Sequence, residues 1–349
     1  VSYFFGDGFD LYAAPADAVL GNSYWDSGSA AANLQTGRFS GSRAWQHNSV
    51  SAITAVLQKS SGSNDSVHHI NIAISQGAAL TGTNNIGWFT LLDSSTAQCS
   101  IAFRADGAIL LTSGASNGTT LATYTGALTA INTWYAFEIE VVVHNTTGSI
   151  SIRKNGNPTN DFAASSLNTR GGTTNNYANS VRLGAGLQNG TGQILDDFLW
   201  RSDAASVPWV GDVRCYTRMP ASDASAAWNR LSGSTNYSQV NQAQQDAATT
   251  YVYSSTVGQT DLYGIASISG TPSTIVGVVT RCLAQKSDAG TRNVALRLRS
   301  GATDVTGTST ALNTTFGWIW RNDLTDPATG AAWTATAVNN LQIGQTVSA

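Results

Sequence analysis

The sequence holds almost no glutamate and almost no lysine. Two of its 21 acidic residues are glutamate, Glu138 and Glu140, and the rest are aspartate; lysine occurs only as Lys59, Lys154 and Lys286. Charged residues make up 11% of the chain, against about 25% in ordinary globular domains. The long charged side chains that solubilise helical surfaces are therefore missing, and no heptad pattern occurs, which excludes a helical bundle or coiled coil. Cysteine is nearly absent too. Cys99, Cys215 and Cys282 are isolated and odd in number, which excludes a disulfide scaffold and points to synthesis in a reducing cytoplasm. No Cys-x-x-Cys occurs, and His47 and His144 have no ligand spacing, so nothing in the pattern supports a zinc site. There is no P-loop and no Gly-x-Ser-x-Gly elbow. No apolar run is long enough to cross a bilayer as a helix. A net charge of −3 supplies no field to attract nucleic acid or an acidic membrane.

What is present is the composition of sheets and turns. The chain has 349 residues, 42% of them hydrophobic and 34 of them glycine, enough for two domains with sizeable cores. Tyr135, Phe137, Ile139, Val141 and Val143 fall on alternate positions, with Ala136, Glu138, Glu140 and His144 between them. That is a strand with one apolar face and one wet face. A turn at 145–148 returns the chain to Ile150 and Ile152, and Asn155-Gly156 supplies the positive φ values of a tight turn. Such a hairpin needs a second sheet over its apolar face. Further short strands are expected at 37–45 (with a glycine bend), 51–58, 67–74, 86–92, 98–104, 108–112, 121–124, 180–187 and 193–201, with Asp106-Gly107 as a hairpin turn. Many short strands at close spacing predict a sandwich. A small-residue stretch containing Pro208 suggests a boundary near Ala205. Beyond it, strands are expected at 213–218, from Val276 to Ala284, at 294–299, along Phe316, Trp318 and Trp320, and at 338–347. The predicted fold class is all-β: two consecutive β-sandwich (jelly-roll) domains, residues 1–205 and 206–349, the second for assembly or docking.

Phe9-Asp10-x-Tyr12, Trp25, Gly37-Arg38-Phe39, Thr133-Trp134-Tyr135, Val141-Val142-Val143, Asn155-Gly156 and the stretch from Ile194 to Phe198 follow in an order that is informative. That order, over residues 1–202, resembles the concanavalin A-like, laminin-G-like jelly-roll domains of tailed-bacteriophage structural proteins. The second half is similar to the domain that often follows in those proteins, through Val210-Gly211-Asp212-Val213-Arg214, residues 251–258 and 286–292, Arg299-Ser300-Gly301 and residues 326–333. The resemblance implies a minor virion component, a tail-fibre, tail-tip or head-surface appendage, made in the host cytoplasm and working in the virion. It implies other virion proteins as partners and a homo-oligomer, with a trimer as one form. A lectin-like adhesin for host surface glycans is the alternative. A glycan hydrolase is the third reading and the weakest, and no enzyme is expected.

Several residues bear on that choice. Glu138 and Glu140 share a strand face and are the pair a glycan hydrolase would need, but the Glu-x-Asp-x-x-Glu pattern of jelly-roll hydrolases is absent, and both are expected to be solvated. Asp196-Asp197 would point to opposite faces of a strand. They are the candidate calcium ligands, since laminin-G-like domains often carry such a site and hard cations take carboxylate oxygens; the competing expectation is a solvated strand start, and otherwise no cofactor is expected. Asp7 and Asp10 are weighed the same way. His68-His69 diverge on a strand and are expected to be structural. Trp25, Trp45, Trp88, Trp134 and Trp200 are expected mostly in the core. Phe316, Trp318 and Trp320 form a same-face aromatic stripe, either second-domain core or a contact anchor. Arg297 and Arg299, opposite the apolar face of their strand, are either solvated or placed to grip an anionic sugar or a neighbouring subunit.

Overall fold

The structure is a computed structural model that describes residues 3–28, 32–47, 56–77, 81–83, 85–185, 193–246 and 248–349. Residues 51–55 and 186–187, expected in strands, lie outside the described residues. The chain forms two compact units. Unit 1 comprises Val1–Asp10, Ala14–Ala18 and Trp25–Cys215; unit 2 comprises Leu11–Ala13, Val19–Tyr24 and Tyr216–Ala349.

Unit 1 contains the strands β1 (Tyr3–Asp7), β2 (Ser27–Gly28), β3 (Ala32–Thr36), β4 (Arg43–His47), β5 (Leu57–Asp65), β6 (Val67–Gln76), β7 (Asn85–Asp93), β8 (Thr96–Arg104), β9 (Ile109–Ser113), β10 (Thr120–Tyr124), β11 (Trp134–Val142), β12 (Gly148–Lys154), β13 (Phe162–Leu167), β14 (Ala178–Ala185) and β15 (Gln193–Asp203). They form two antiparallel sheets. One runs β13-β12-β11-β6-β15-β4-β3 with β1 also on β15; the other runs β10-β9-β8-β7-β14-β5-β2. The sheets face each other across an aromatic core, where Phe103 on β8 lies 6.4 Å from Phe137 on β11; at the edge, half-buried Tyr124 on β10 stacks on Phe162 of β13 at 5.5 Å. Trp25, Trp45 and Trp200 are fully buried, as expected, and Trp88 nearly so. Truncating one such ring to alanine costs about 3–5 kcal/mol.

The alternation read in the sequence sets the register. Phe137, Ile139 and Val141 pair with Ile72, Ile70 and His68 on β6 and with Lys154, Ile152 and Ile150 on β12. The turn after β12 has φ of 52° at Asn155 and 75° at Gly156, the left-handed pair expected of Asn-Gly. The region 37–45 is a hairpin rather than one bent strand: β3 pairs with β4 from Ala32↔His47 to Thr36↔Arg43, with Gly37 and Ser42 closing the turn by a 2.9 Å backbone bond.

Unit 2 contains β16 (Pro220–Ala226), β17 (Asn229–Arg230), β18 (Val252–Tyr253), β19 (Thr260–Ile265), β20 (Val278–Ala284), β21 (Asn293–Ser300), β22 (Thr303–Thr306), β23 (Thr310–Ala311), β24 (Gly317–Asp323), α1 (Ala335–Asn339) and β25 (Gln342–Val347). A six-stranded sheet runs β16-β19-β25-β21-β22, with β23 also on β21, beside two ribbons, β17-β18 and β20-β24. Leu298 packs with Trp333, Val338 and Leu341, while Val294 and Leu296 pack with Ile319. Where β25 crosses β19, a Cβ on Gly344 would stand 1.9 Å from the Asp261 carbonyl oxygen, so the close approach requires glycine.

Three expectations are corrected. Residues 213–218 form no strand. The stretch 338–347 begins in α1, whose Thr334 hydroxyl accepts the Ala337 N–H at 3.1 Å, a side-chain cap that competes with extension. Residues 206–215, assigned from sequence to the second domain, pack with unit 1, because buried carboxylates of that unit hold their backbone.

Candidate functional site

The outward face of the first sheet in unit 1 carries Glu138 on β11, His69 and Asn71 on β6, and Arg201 on β15. Register aligns Glu138 with Asn71 and Leu199, and Glu140 with His69 and Arg201. The expectation that Glu138 is solvated is wrong: it is 2% exposed, with His69, Asn71 and Arg201 at 1% or less. Residues 207–215 cross this face as a strap. The Glu138 carboxylate accepts from Arg201 Nη2 at 2.8 Å, Val210 N at 2.9 Å and Gly211 N at 2.7 Å. Asn71 donates to the Gly211 carbonyl at 2.9 Å, and Arg201 Nη1 to the Pro208 carbonyl at 2.7 Å. The Trp209 ring packs edge-on to His69 and under the Arg153 guanidinium. His69 points one ring nitrogen at Glu138 (3.4 Å) and the other at Glu140 (2.8 Å). Burial alone would raise the Glu138 pKa, but the bonds from His69, Val210 and Gly211 and the Arg201 charge hold it below the ordinary carboxylate value.

Asp196 and Asp197 are also buried, against the expectation of a solvated strand start. Their placement departs from strand alternation because β15 carries a bulge between Asp196 and Leu199, and Asp197 has a φ of 53°. The extra residue brings both carboxylates to one group of partners. Asp196 accepts from Arg38 N and from Asp197 N, each at 2.7 Å. Asp197 accepts from Cys215 N at 2.7 Å and lies 3.7 Å from Arg38 Nη1. Arg38 in turn forks onto both carboxylate oxygens of Asp212 in the strap. Burial, then the charge of its neighbour, pushes the Asp196 carboxyl up to about 8, and burial raises Asp197 as well. Three of the four carboxylate oxygens thus accept backbone N–H groups, and the fourth, Asp197 Oδ2, is buried without a hydrogen bond, 3.7 Å from the Arg38 guanidinium. Among the described residues no three His, Cys, Asp or Glu side chains converge so as to hold a metal ion. One free oxygen beside a guanidinium does not fit calcium, which takes about 6–8 oxygen ligands. Asp7 and Asp10 are likewise engaged with backbone, accepting from Phe9 N at 2.9 Å and Arg43 N at 2.7 Å.

Unit 2 uses acids in the same manner. Asp261 is fully buried and accepts from Ala227 N (2.6 Å), Trp228 N (2.8 Å), Asn236 Nδ2 (2.7 Å) and the Tyr263 hydroxyl (2.9 Å). Asp223 accepts from Asn236 N at 2.9 Å and Tyr237 N at 2.6 Å. Aspartate is suited to this work because its short side chain reaches neighbouring backbone N–H groups at little entropic cost.

Of the other sequence candidates, Arg299 forks onto Asp304 at 2.8 Å twice, with Arg297 3.6 Å from the same acid. Trp318 and Trp320 stand on the face of β24 opposite Ile319. Trp318 is buried and meets Tyr12 edge-on at 6.3 Å; Trp320 meets Tyr24 at 5.7 Å and donates to the Ser23 carbonyl. Arg281 lies over Tyr24 at 3.6 Å and Trp318 at 4.5 Å. The arginines and tryptophans are not brought into one site. His68 is buried beneath Trp200, which donates to it at 3.2 Å, and burial lowers its pKa to about 4.

One surface was missed in the sequence. On the β17-β18 ribbon, Tyr253 lies opposite Asn229, and Leu231 N bonds the Tyr251 carbonyl. Leu231, Tyr251 and Tyr253 are 46%, 37% and 50% exposed. The alternation of Tyr251 and Tyr253 was a legible signal, though a two-residue strand is too short to stand out.

No family model and no curated protein matches the sequence. Among solved structures, similarity extends to the exoplasmic/lumenal domain of VIP36 (10% identity, 60% of this chain, 93% of that one, TM-score 0.36) and to lectin II from Ulex europaeus (10%, 58% and 92%, 0.34). It also extends to the carbohydrate esterase vb_24B_21 from the Shiga toxin-encoding bacteriophage phi24B (13%, 51% and 88%, 0.35). At these values no residue role carries over from any of them.

Proposed function

We propose that this chain is a structural component of a tailed-bacteriophage virion, a tail, fibre or head-surface appendage that assembles with other virion proteins and with copies of itself. The observation that supports this most is the fate of Glu138. It is the best carboxylate for chemistry by position, yet its oxygens are taken up by Arg201 and His69 of the sheet and by the Val210 and Gly211 N–H groups of the strap. A general acid or nucleophile must reach a substrate atom; this group instead fixes backbone. The virion assignment itself rests on the order of motifs given above. Its test is direct: an antibody to the chain should label intact purified particles of the phage that encodes it. Unlabelled particles that lack the chain by mass spectrometry would reject the assignment.

A second reading, a lectin-like adhesin for host glycans, is favoured by the two exposed tyrosines in a charge-poor surface. Catalysis is not part of either proposal. Release of reducing sugar from a host polysaccharide, lost in Glu138→Gln, would reverse that position.

A further inference from the structure

The ribbon β17-β18 presents Asn229, Leu231, Tyr251 and Tyr253 outward on one face, and we propose that this face is a docking platform for a neutral glycan. The inference rests on the adhesin reading and gives it a location in unit 2. Single exposed apolar side chains are ordinary, but a contiguous cluster such as Leu231, Tyr251 and Tyr253 marks an interaction surface. The Tyr251 and Tyr253 ring centroids lie 5.9 Å apart at 58°, an angled pair that meets a pyranose ring from two sides. Sugars offer flat C–H faces to aromatic rings and hydroxyls around the rim, and tyrosine matches both with an apolar face and a polar tip. The choice of a neutral ligand follows from charge. By alternation the one cation of the segment 226–258, Arg230, opposite Val252, lies on the other face of the ribbon from Tyr251 and Tyr253, where it donates to the Gly233 carbonyl at 2.9 Å. An acidic glycan on the tyrosine face would meet no cation of this ribbon.

The test is an array of immobilised neutral and acidic glycans probed with the intact chain and with the Tyr251→Ala, Tyr253→Ala and Tyr253→Phe variants, each checked for an unchanged melting temperature. The expected result is binding to neutral glycans, weakened roughly tenfold by either alanine and retained by phenylalanine, the scale of one lost aromatic contact. A blank array overturns this proposal and the adhesin reading together. Neutral-glycan binding indifferent to both alanines overturns the platform but keeps the adhesin. Binding confined to acidic glycans overturns the platform. Concentration-dependent self-association, measured by sedimentation and lost in Tyr253→Ala, reassigns the face to a second copy of the chain.

Discussion

Replacing Glu138 by glutamine tests the clasp over the first sheet. The side chain keeps its size and one carbonyl oxygen, so the Val210 or Gly211 N–H retains a partner, but the charge opposite Arg201 disappears. Arg201 and Glu138 stand at 1% and 2% side-chain exposure with 2.8 Å between them. Removing one member of such a pair leaves a buried charge without compensation, a loss of about 3–5 kcal/mol. The loss of one strap hydrogen bond, about 1–3 kcal/mol, is part of that total. At 1.4 kcal/mol per decade, protection of the strap amides falls by at least about a hundredfold. Hydrogen exchange followed by mass spectrometry on peptides covering 207–215 reads this locally, with peptides covering 293–300 of unit 2 as the internal control. Arg201→Gln should cost a similar amount. The double variant should cost at least ~2 kcal/mol less than the sum, because the second change removes the orphaned charge. If Glu138→Gln changes stability by under ~1 kcal/mol and the strap exchanges as before, the carboxylate is not what holds residues 207–215.

Three further outcomes follow. The raised Asp196 and Asp197 values mean that folded unit 1 binds protons more tightly than the unfolded chain, so this pair's contribution is full at low pH. It is lost as pH rises from the ordinary carboxylate value of about 4 toward about 8; thermal melts across that window should show a smaller slope in Asp196→Asn and none in the Asp196→Asn, Asp197→Asn double variant. Gly344→Ala drives a methyl group into the Asp261 carbonyl and should destabilise unit 2 by about 1–3 kcal/mol in urea titration; a change within a few tenths would show that the strands relax apart freely. Calcium binding at a hundred times its dissociation constant would add about 2.7 kcal/mol, several degrees in melting temperature. Millimolar calcium against chelator should instead leave the melt within about 1 °C, and a larger rise would overturn the donor assignment at Asp196 and Asp197.

Much of unit 1 was legible because alternation records which face of a strand meets a core. Tyr135, Phe137, Ile139, Val141 and Val143 were placed correctly on that ground, and Asn155-Gly156 by the φ values it tolerates. Alternation is silent on whether the other face is covered. Glu138 therefore read as solvated, although a strap from seventy residues downstream lies over it. The alternation rule itself failed at Asp196-Asp197, since one bulged residue shifts the parity that places consecutive side chains on opposite faces. The Trp318 and Trp320 stripe was visible, but not its partners Tyr12 and Tyr24, because contacts at that sequence separation leave no periodic trace. The scarcity of glutamate beside aspartate read only as the absence of charged helix formers. Its fuller cause is that six or more of these acids hold main-chain N–H groups.

Asp261 and Asp223 grip the segment 227–237 at its two ends, through four main-chain N–H groups and the Asn236 side-chain amide. Apart from Asn236, a grip of this kind does not inspect side chains. Foreign peptides grafted between Leu231 and Asn236 would inherit fixed ends and leave the β17-β18 pairing in place, which makes this turn the natural place to re-target the molecule.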